Sequence, residues 1–137
     1  MMTDDEKREL YGHDAAEWLR RWDEGRTVWT IEMGGLGPGY EQCIHMLAAE
    51  VIRCLIDNKV DCDSWTDEVF KRDLDLIDKT VFAIPEIKAL GVTGAQWGAA
   101  RNVAIMIYCK GPVAVMTDRR VKYRHIQVSR KFPGAGA

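Results

Sequence analysis

A chain of 137 residues, 47% hydrophobic and 29% charged, has the size and balance of one globular domain, enough to bury roughly two-thirds of its unfolded surface. This composition excludes a disordered or collagen-like chain, and a formal net charge of -2 excludes a global attraction to nucleic acid or anionic membranes, so any basic site must be local. No run approaches the ~18 apolar residues of a spanning helix, and Met1 to Leu10 is charged, so the expectation is a cytoplasmic protein without a membrane partner.

Residues 1–11 are expected to fray or to form a short turn. Asp14-Ala15-Ala16-Glu17 then predicts a helix start, because an N-cap acid followed three residues later by glutamate answers the unpaired amides of the first turn. Ala15, Trp18, Leu19 and Trp22 share its inward face, and Gly25 ends it. Thr27 to Met33 has the β-branched and aromatic content of a strand, with Thr27, Trp29, Ile31 and Met33 on one face and Val28, Thr30 and Glu32 on the other.

A glycine elbow follows, Gly34-Gly35-Leu36-Gly37-Pro38-Gly39, in which Pro38 suits the first position of a helix because its missing amide hydrogen is not needed there. Tyr40, Ile44, Leu47, Ala48, Val51 and Leu55 form one apolar face of this central helix; Glu41, Gln42, Glu50, Arg53 and Asp57 take the other. Ser64-Trp65-Thr66-Asp67 reads as a capping box opening a third helix, with Phe70, Leu74, Ile77, Val81 and Ile84 inward and a solvated charged face from Asp67 to Lys79. Pro85 breaks or restarts this helix, and Gly91 ends the segment.

Thr93-Gly94-Ala95-Gln96 is another capping box, opening a fourth helix that buries Trp97, Ala100, Ala104, Ile107 and Tyr108 and closes at Gly111-Pro112. Gly94, Ala95, Gly98, Ala99 and Ala100 make its first turns slim. Glycine in a helix interior costs about 1 kcal/mol relative to alanine, so a closely packed neighbour is expected, a helix in the first instance and a ligand or partner backbone in the second. Val113 to Met116 suits helix and strand equally. Tyr123 to Arg130 alternates and should pair with the first strand, and residues 132–137 form a flexible tail. The fold class is α+β, helix-dominated, with about four helices packed on a small sheet of two or three strands in a single domain, 1–137.

The cysteines Cys43, Cys54, Cys62 and Cys109 lack the C-x-x-C spacing of zinc sites and the density of a secreted disulfide scaffold. They read as small buried apolar residues, with one reactive thiol as the alternative. The chain calls for no cofactor and no metal, and it contains no compelling catalytic constellation.

The elbow gathers free amides at the positive end of a helix dipole, where a small anion or carboxylate can bind. It matches neither G-x-x-x-x-G-K-[ST] nor G-x-G-x-x-G, so a tight structural turn is the preferred reading over a nucleotide loop. Glu41 and His45, four apart, can form a general-base pair, although His45 at the edge of the apolar face reads first as structural or exposed. Arg119, Arg120, Lys122, Arg124, Arg130 and Lys131 crowd the last strand; protection of a sheet edge is favoured over contact with nucleic acid. The residues assigned to ligand or partner binding are Glu32, Gly34, Gly35, Gly37, Gly39, Tyr40, Glu41, Gln42, His45, Gln96, Arg101, Asn102 and Arg124.

Two signatures, Glu32-Met33-Gly34-Gly35-Leu36-Gly37-Pro38-Gly39-Tyr40-Glu41-Gln42 and Gly94-Ala95-Gln96-Trp97-Gly98-Ala99-Ala100-Arg101-Asn102, together with Ile126-Gln127-Val128-Ser129, resemble small bacteriophage and prophage proteins of unassigned activity. The resemblance implies an accessory product acting inside a bacterial host, for which binding or inhibiting a host protein is a common role. It carries over no fold, activity or catalytic residue. The leading expectation is therefore a non-enzymatic binding protein. The alternatives are a small enzyme or anion-binding module at the elbow, or nucleic-acid binding through the basic final strand. A homodimer is compatible with the short sheet edges.

Overall fold

The computed structural model describes residues 3, 14–31, 38–111 and 123–126, with the backbone course alone for 38–42 and 123–126. Helix α1 spans Ala15–Asp23; its cap, Asp14, accepts a hydrogen bond from the Glu17 amide at 2.9 Å, and Ala15, Trp18, Leu19 and Trp22 are buried. Trp18 and Trp22 lie one turn apart and stack at 5.5 Å between ring centroids. The exposed side of α1 carries an ion network in which hydrogen bonding from Arg20 holds the Glu17 carboxyl at about 2, below the ordinary glutamate value of 4.5.

Strand β1 covers Val28–Ile31, beginning one residue after Thr27, and all four of its residues are buried; Glu32 and Met33 lie outside the described residues. It runs antiparallel to β2, Tyr123–Ile126, with Val28 opposite Ile126 and Thr30 opposite Arg124. Trp18 secures β1 to α1 by donating its indole N–H to the Trp29 carbonyl at 2.7 Å, which gives a buried backbone acceptor its partner.

Helix α2, Pro38–Asp57, has 20 residues. Cys43 to Ala49 are buried without a break, followed by Val51, Ile52, Cys54 and Leu55. A helix apolar all round belongs in the middle of its fold. This corrects the expectation of helices laid on a small sheet: α1, α3 and α5 pack against α2 itself, and the chain is helix-dominated, with β structure confined to one short ladder among the described residues. At the surface, Arg53 of α2 grips Asp23 at the end of α1 with two hydrogen bonds of 2.8 and 3.0 Å.

After α2, a 3-10 turn at Cys62–Ser64 is capped by Asp61, which accepts from the Asp63 amide and from the Ser64 hydroxyl. Helix α3, Asp67–Phe82, therefore starts later than the Ser64 capping box predicts: its cap is Thr66, accepting from the Val69 amide. Ser64 is already committed to the preceding turn. Ile77 and Val81 are buried, whereas Phe70, Leu74 and Ile84 are only partly covered. The charged face is exposed as expected, with one exception: Asp73 turns inward and accepts the Trp65 indole N–H at 2.7 Å.

Pro85 restarts the chain as the four-residue helix α4, Pro85–Lys88, whose Ile87 enters the core. Helix α5, Gly94–Ile105, opens with both hydrogen bonds of the Thr93–Gln96 capping box. It buries Trp97, Ala100, Val103 and Ala104 and runs into a π-helical turn, Met106–Lys110. Gly111 stops that turn at φ 76°, ψ 172°, a backbone region in which a Cβ is strongly disfavoured. Val113 to Met116, most of residues 1–11 and the tail at 132–137 lie outside the described residues.

Candidate functional site

Glu32, Gly34, Gly35 and Gly37 lie outside the described residues, so the elbow is represented by its exit alone. Pro38 is the first residue of α2, as expected, and Gly39, Tyr40, Glu41 and Gln42 form its opening turn. Arg124 sits in the ladder opposite Thr30, close in register to the end of β1 that leads into the elbow.

His45 lies in the core rather than at the edge of a face. Both His45 and Thr30 have 0% exposure, and Thr30 Oγ1 shares a hydrogen bond with His45 Nε2. Loss of solvation pushes the imidazole down to about 4 from its ordinary 6.5, so it is neutral at pH 7. The pairing follows from two facts: Thr30 is a buried hydroxyl on a strand, and α2 is buried all round where it passes beneath. A hydrogen bond satisfies both polar groups at once. A surface general-base pair with Glu41 requires solvent access that His45 lacks.

The remaining assigned residues gather on α5. The Gln96 carboxamide oxygen accepts from the Thr93 amide at 2.9 Å and is thereby committed to the cap. Arg101 lies over the Trp97 ring at 5.8 Å from its centroid and 3.9 Å from Asp78, while the Trp97 indole donates to that same Asp78 at 2.8 Å. Phe82 meets Trp97 edge-on at 4.7 Å. This Asp78–Trp97–Arg101 cluster joins α3 to α5, so Arg101 has a structural task. Asn102 is exposed.

Helix α2 is the closely packed neighbour expected for α5, meeting it on the side of Ala100 and Ala104, but Gly94 and Gly98 have no such neighbour among the described residues. A Cβ built on Gly94 or Gly98 meets nothing within 4 Å. The helix packs inward through Trp97, Ala100, Val103 and Ala104. Its small residues lie on the other side: Gly94, Ala95 and Asn102 are exposed, and Gly98 and Ala99 are half-buried. The result is a low, smooth surface bordered by the amide of Asn102 and the guanidinium of Arg101.

A further correction concerns the cysteines. Cys43 and Cys54 are buried free thiols, pushed above their ordinary value by burial. Cys62 and Cys109 instead form a disulfide with a Cα separation of 5.7 Å, tying the 3-10 turn to the π-helical turn across 47 residues of sequence. It borders an open cavity of about 230 Å³ lined by Val60, Asp61, Cys62, Asp63, Tyr108 and Cys109. Tyr108 runs parallel to the disulfide, donating its hydroxyl to the Val60 carbonyl at 2.6 Å.

Among the described residues, no group of three His, Cys, Asp or Glu side chains is arranged to hold a metal ion, and no helix is long and apolar enough to cross a membrane. Comparison with known proteins found no matching family model, no matching curated protein and no matching solved structure.

Proposed function

We propose that the protein is a non-enzymatic binding protein, a small phage or prophage accessory product that acts in the bacterial cytoplasm by engaging, and so inhibiting, a host protein. The observation that carries this reading is the outward face of α5. Gly94 and Gly98 weaken the helix intrinsically, Gly98 by about 1 kcal/mol relative to alanine, yet neither makes room for anything within 4 Å among the described residues. A partner that lies close against the α5 backbone supplies the missing reason for small residues there. Burial of His45 also supports binding over catalysis, because it removes the general base that an active site at the elbow would use.

On this reading the β1–β2 ladder is the small sheet of an α+β domain, and Tyr40 and Gln42, in the opening turn of α2, belong to the partner-binding set. The alternative, an anion-binding module at Gly34–Gly39, is supported by the start of α2 at Pro38, which aims the positive end of a 20-residue helix at the elbow.

Affinity capture from bacterial lysate tests the proposal. Wild-type protein should retain a partner in stoichiometric amount, and Gly98→Arg, which fills the smooth surface without touching the core, should lose it. Equal retention by both proteins, or a stabilising phosphate or carboxylate whose effect disappears in Gly37→Ala, would move the function from α5 to the elbow.

A further inference from the structure

Cys62 and Cys109 join the segment after α2 to the segment after α5. The disulfide joins two departures from α-helical geometry, the 3-10 turn Cys62–Ser64 and the π-helical turn Met106–Lys110. Both cysteines are half-buried and border the open cavity, whereas Cys43 and Cys54 are 7% and 3% exposed. The π-helical turn ends at Gly111, and β2, farther along the chain, pairs with β1. The link therefore fastens the π-helical turn to the α2–α3 connection.

We propose that Cys62–Cys109 is a redox-sensitive clasp, opened in the folded protein by a dithiol reductant that enters through the cavity beside it. A thiolate of the reductant attacks one sulfur of the disulfide, forming a mixed disulfide and expelling the other cysteine as a thiolate. The second thiol of the reductant then displaces the remaining cysteine. The reductant leaves as its own disulfide, and two electrons and two protons have passed to Cys62 and Cys109, which become free thiols.

With the clasp open, the Tyr108 hydroxyl bonds to the Val60 and Leu55 carbonyls, at 2.6 and 3.4 Å, still tie the π-helical turn to the end of α2 and the connection after it. The reduced state is accordingly loosened over 106–111 and in the β2 ladder, with the α2 core intact. The loop closed by the disulfide spans 47 residues in sequence. Freeing a loop of this size lowers Tm by on the order of 10 °C on chain-entropy grounds.

The test uses the full chain, purified without reductant. Peptide mapping should first recover Cys62 joined to Cys109. Native protein is then treated with dithiothreitol, alkylated with iodoacetamide at intervals and mapped, with amide exchange followed in parallel. The expected result is prompt labelling of Cys62 and Cys109 with Cys43 and Cys54 still protected, faster exchange over 106–111, and a Tm lowered by roughly 10 °C. Cys62→Ser/Cys109→Ser should reproduce the reduced exchange pattern and Tm without any reductant, and adding Tyr108→Phe should loosen 106–111 further. The proposal is overturned if the two cysteines are not joined, or if all four label together only as the protein unfolds. It is also overturned if the double serine variant matches the oxidised wild type in Tm and exchange.

Discussion

The buried Thr30–His45 pair makes stability depend on pH in a way that can be isolated by one substitution. His45 titrates at about 4 in the folded chain against 6.5 when exposed, with desolvation as the cause. Between those values the unfolded chain binds the proton and the folded chain does not, so stability is full above pH 6.5 and is lost as the pH falls towards 4. The gap, at ~1.36 kcal/mol for each pH unit, amounts to about 3 kcal/mol in total. About 2 kcal/mol of it is already lost at pH 5. Urea unfolding at pH 7.5 and pH 5.0 measures this directly. In His45→Gln, whose side chain can still hydrogen bond to Thr30 but cannot take up a proton, the pH-dependent loss should shrink by about 2 kcal/mol while the other titrating groups contribute as before. Whatever uniform destabilisation the glutamine introduces cancels in this comparison. An identical loss in both proteins would show that burial does not lower the His45 pKa, and would contradict its place in the core.

The glycines of α5 and its exit should respond in opposite directions. Gly98→Ala meets no atom within 4 Å and should raise stability by about 0.5–1 kcal/mol in thermal or urea unfolding; a fall would mean that something packs against it within the chain. Gly111→Ala, at φ 76° and ψ 172°, should lower stability by about 1–3 kcal/mol, and a neutral result would contradict the backbone geometry of the π-helical turn. The Arg53–Asp23 pair is 37% and 47% exposed, so its coupling in a double-mutant cycle should not exceed about 1 kcal/mol despite two good hydrogen bonds. Trp97→Phe deprives Asp78 of its indole donor and should cost about 1–3 kcal/mol, including the loss of ring area against Phe82; an unchanged midpoint would remove the cluster as a tie between α3 and α5.

Local signals recovered the parts of the fold that local chemistry decides. Asp14 and the Thr93–Gln96 box cap their helices as read, and the Trp18, Leu19 and Trp22 stripe is the buried face of α1. Pro85 begins a new helix because a proline at the first position lacks only an amide hydrogen that has no partner there. The errors have two sources, a competing neighbour in sequence and a distant segment. Ser64 has the composition of a cap, but Asp61 takes it into the preceding turn, leaving Thr66 to start α3. Polar positions on α2 suggested a two-sided helix, although from Cys43 to Ala49 even His45 is buried, because Thr30 arrives from β1 to satisfy it.

The cysteine pairing carried no signal in spacing, since 47 residues and three helices separate partners that only the tertiary fold brings together. Gly98 shows the converse. Its cost to the helix was legible, and the neighbouring helix expected for α5 is present as α2, but Gly98 itself has no atom beside it among the described residues, which is what directs attention to a partner.

Site-specific photo-crosslinking in bacterial cells tests that central claim most directly. A benzophenone side chain placed at Ala99, on the smooth face of α5, should give one discrete adduct with a host protein, and the same probe at exposed Asp75 on α3 should give none. Equal adducts from both positions, or none from Ala99 across the cellular growth phases, would contradict the assignment of α5 as the binding surface.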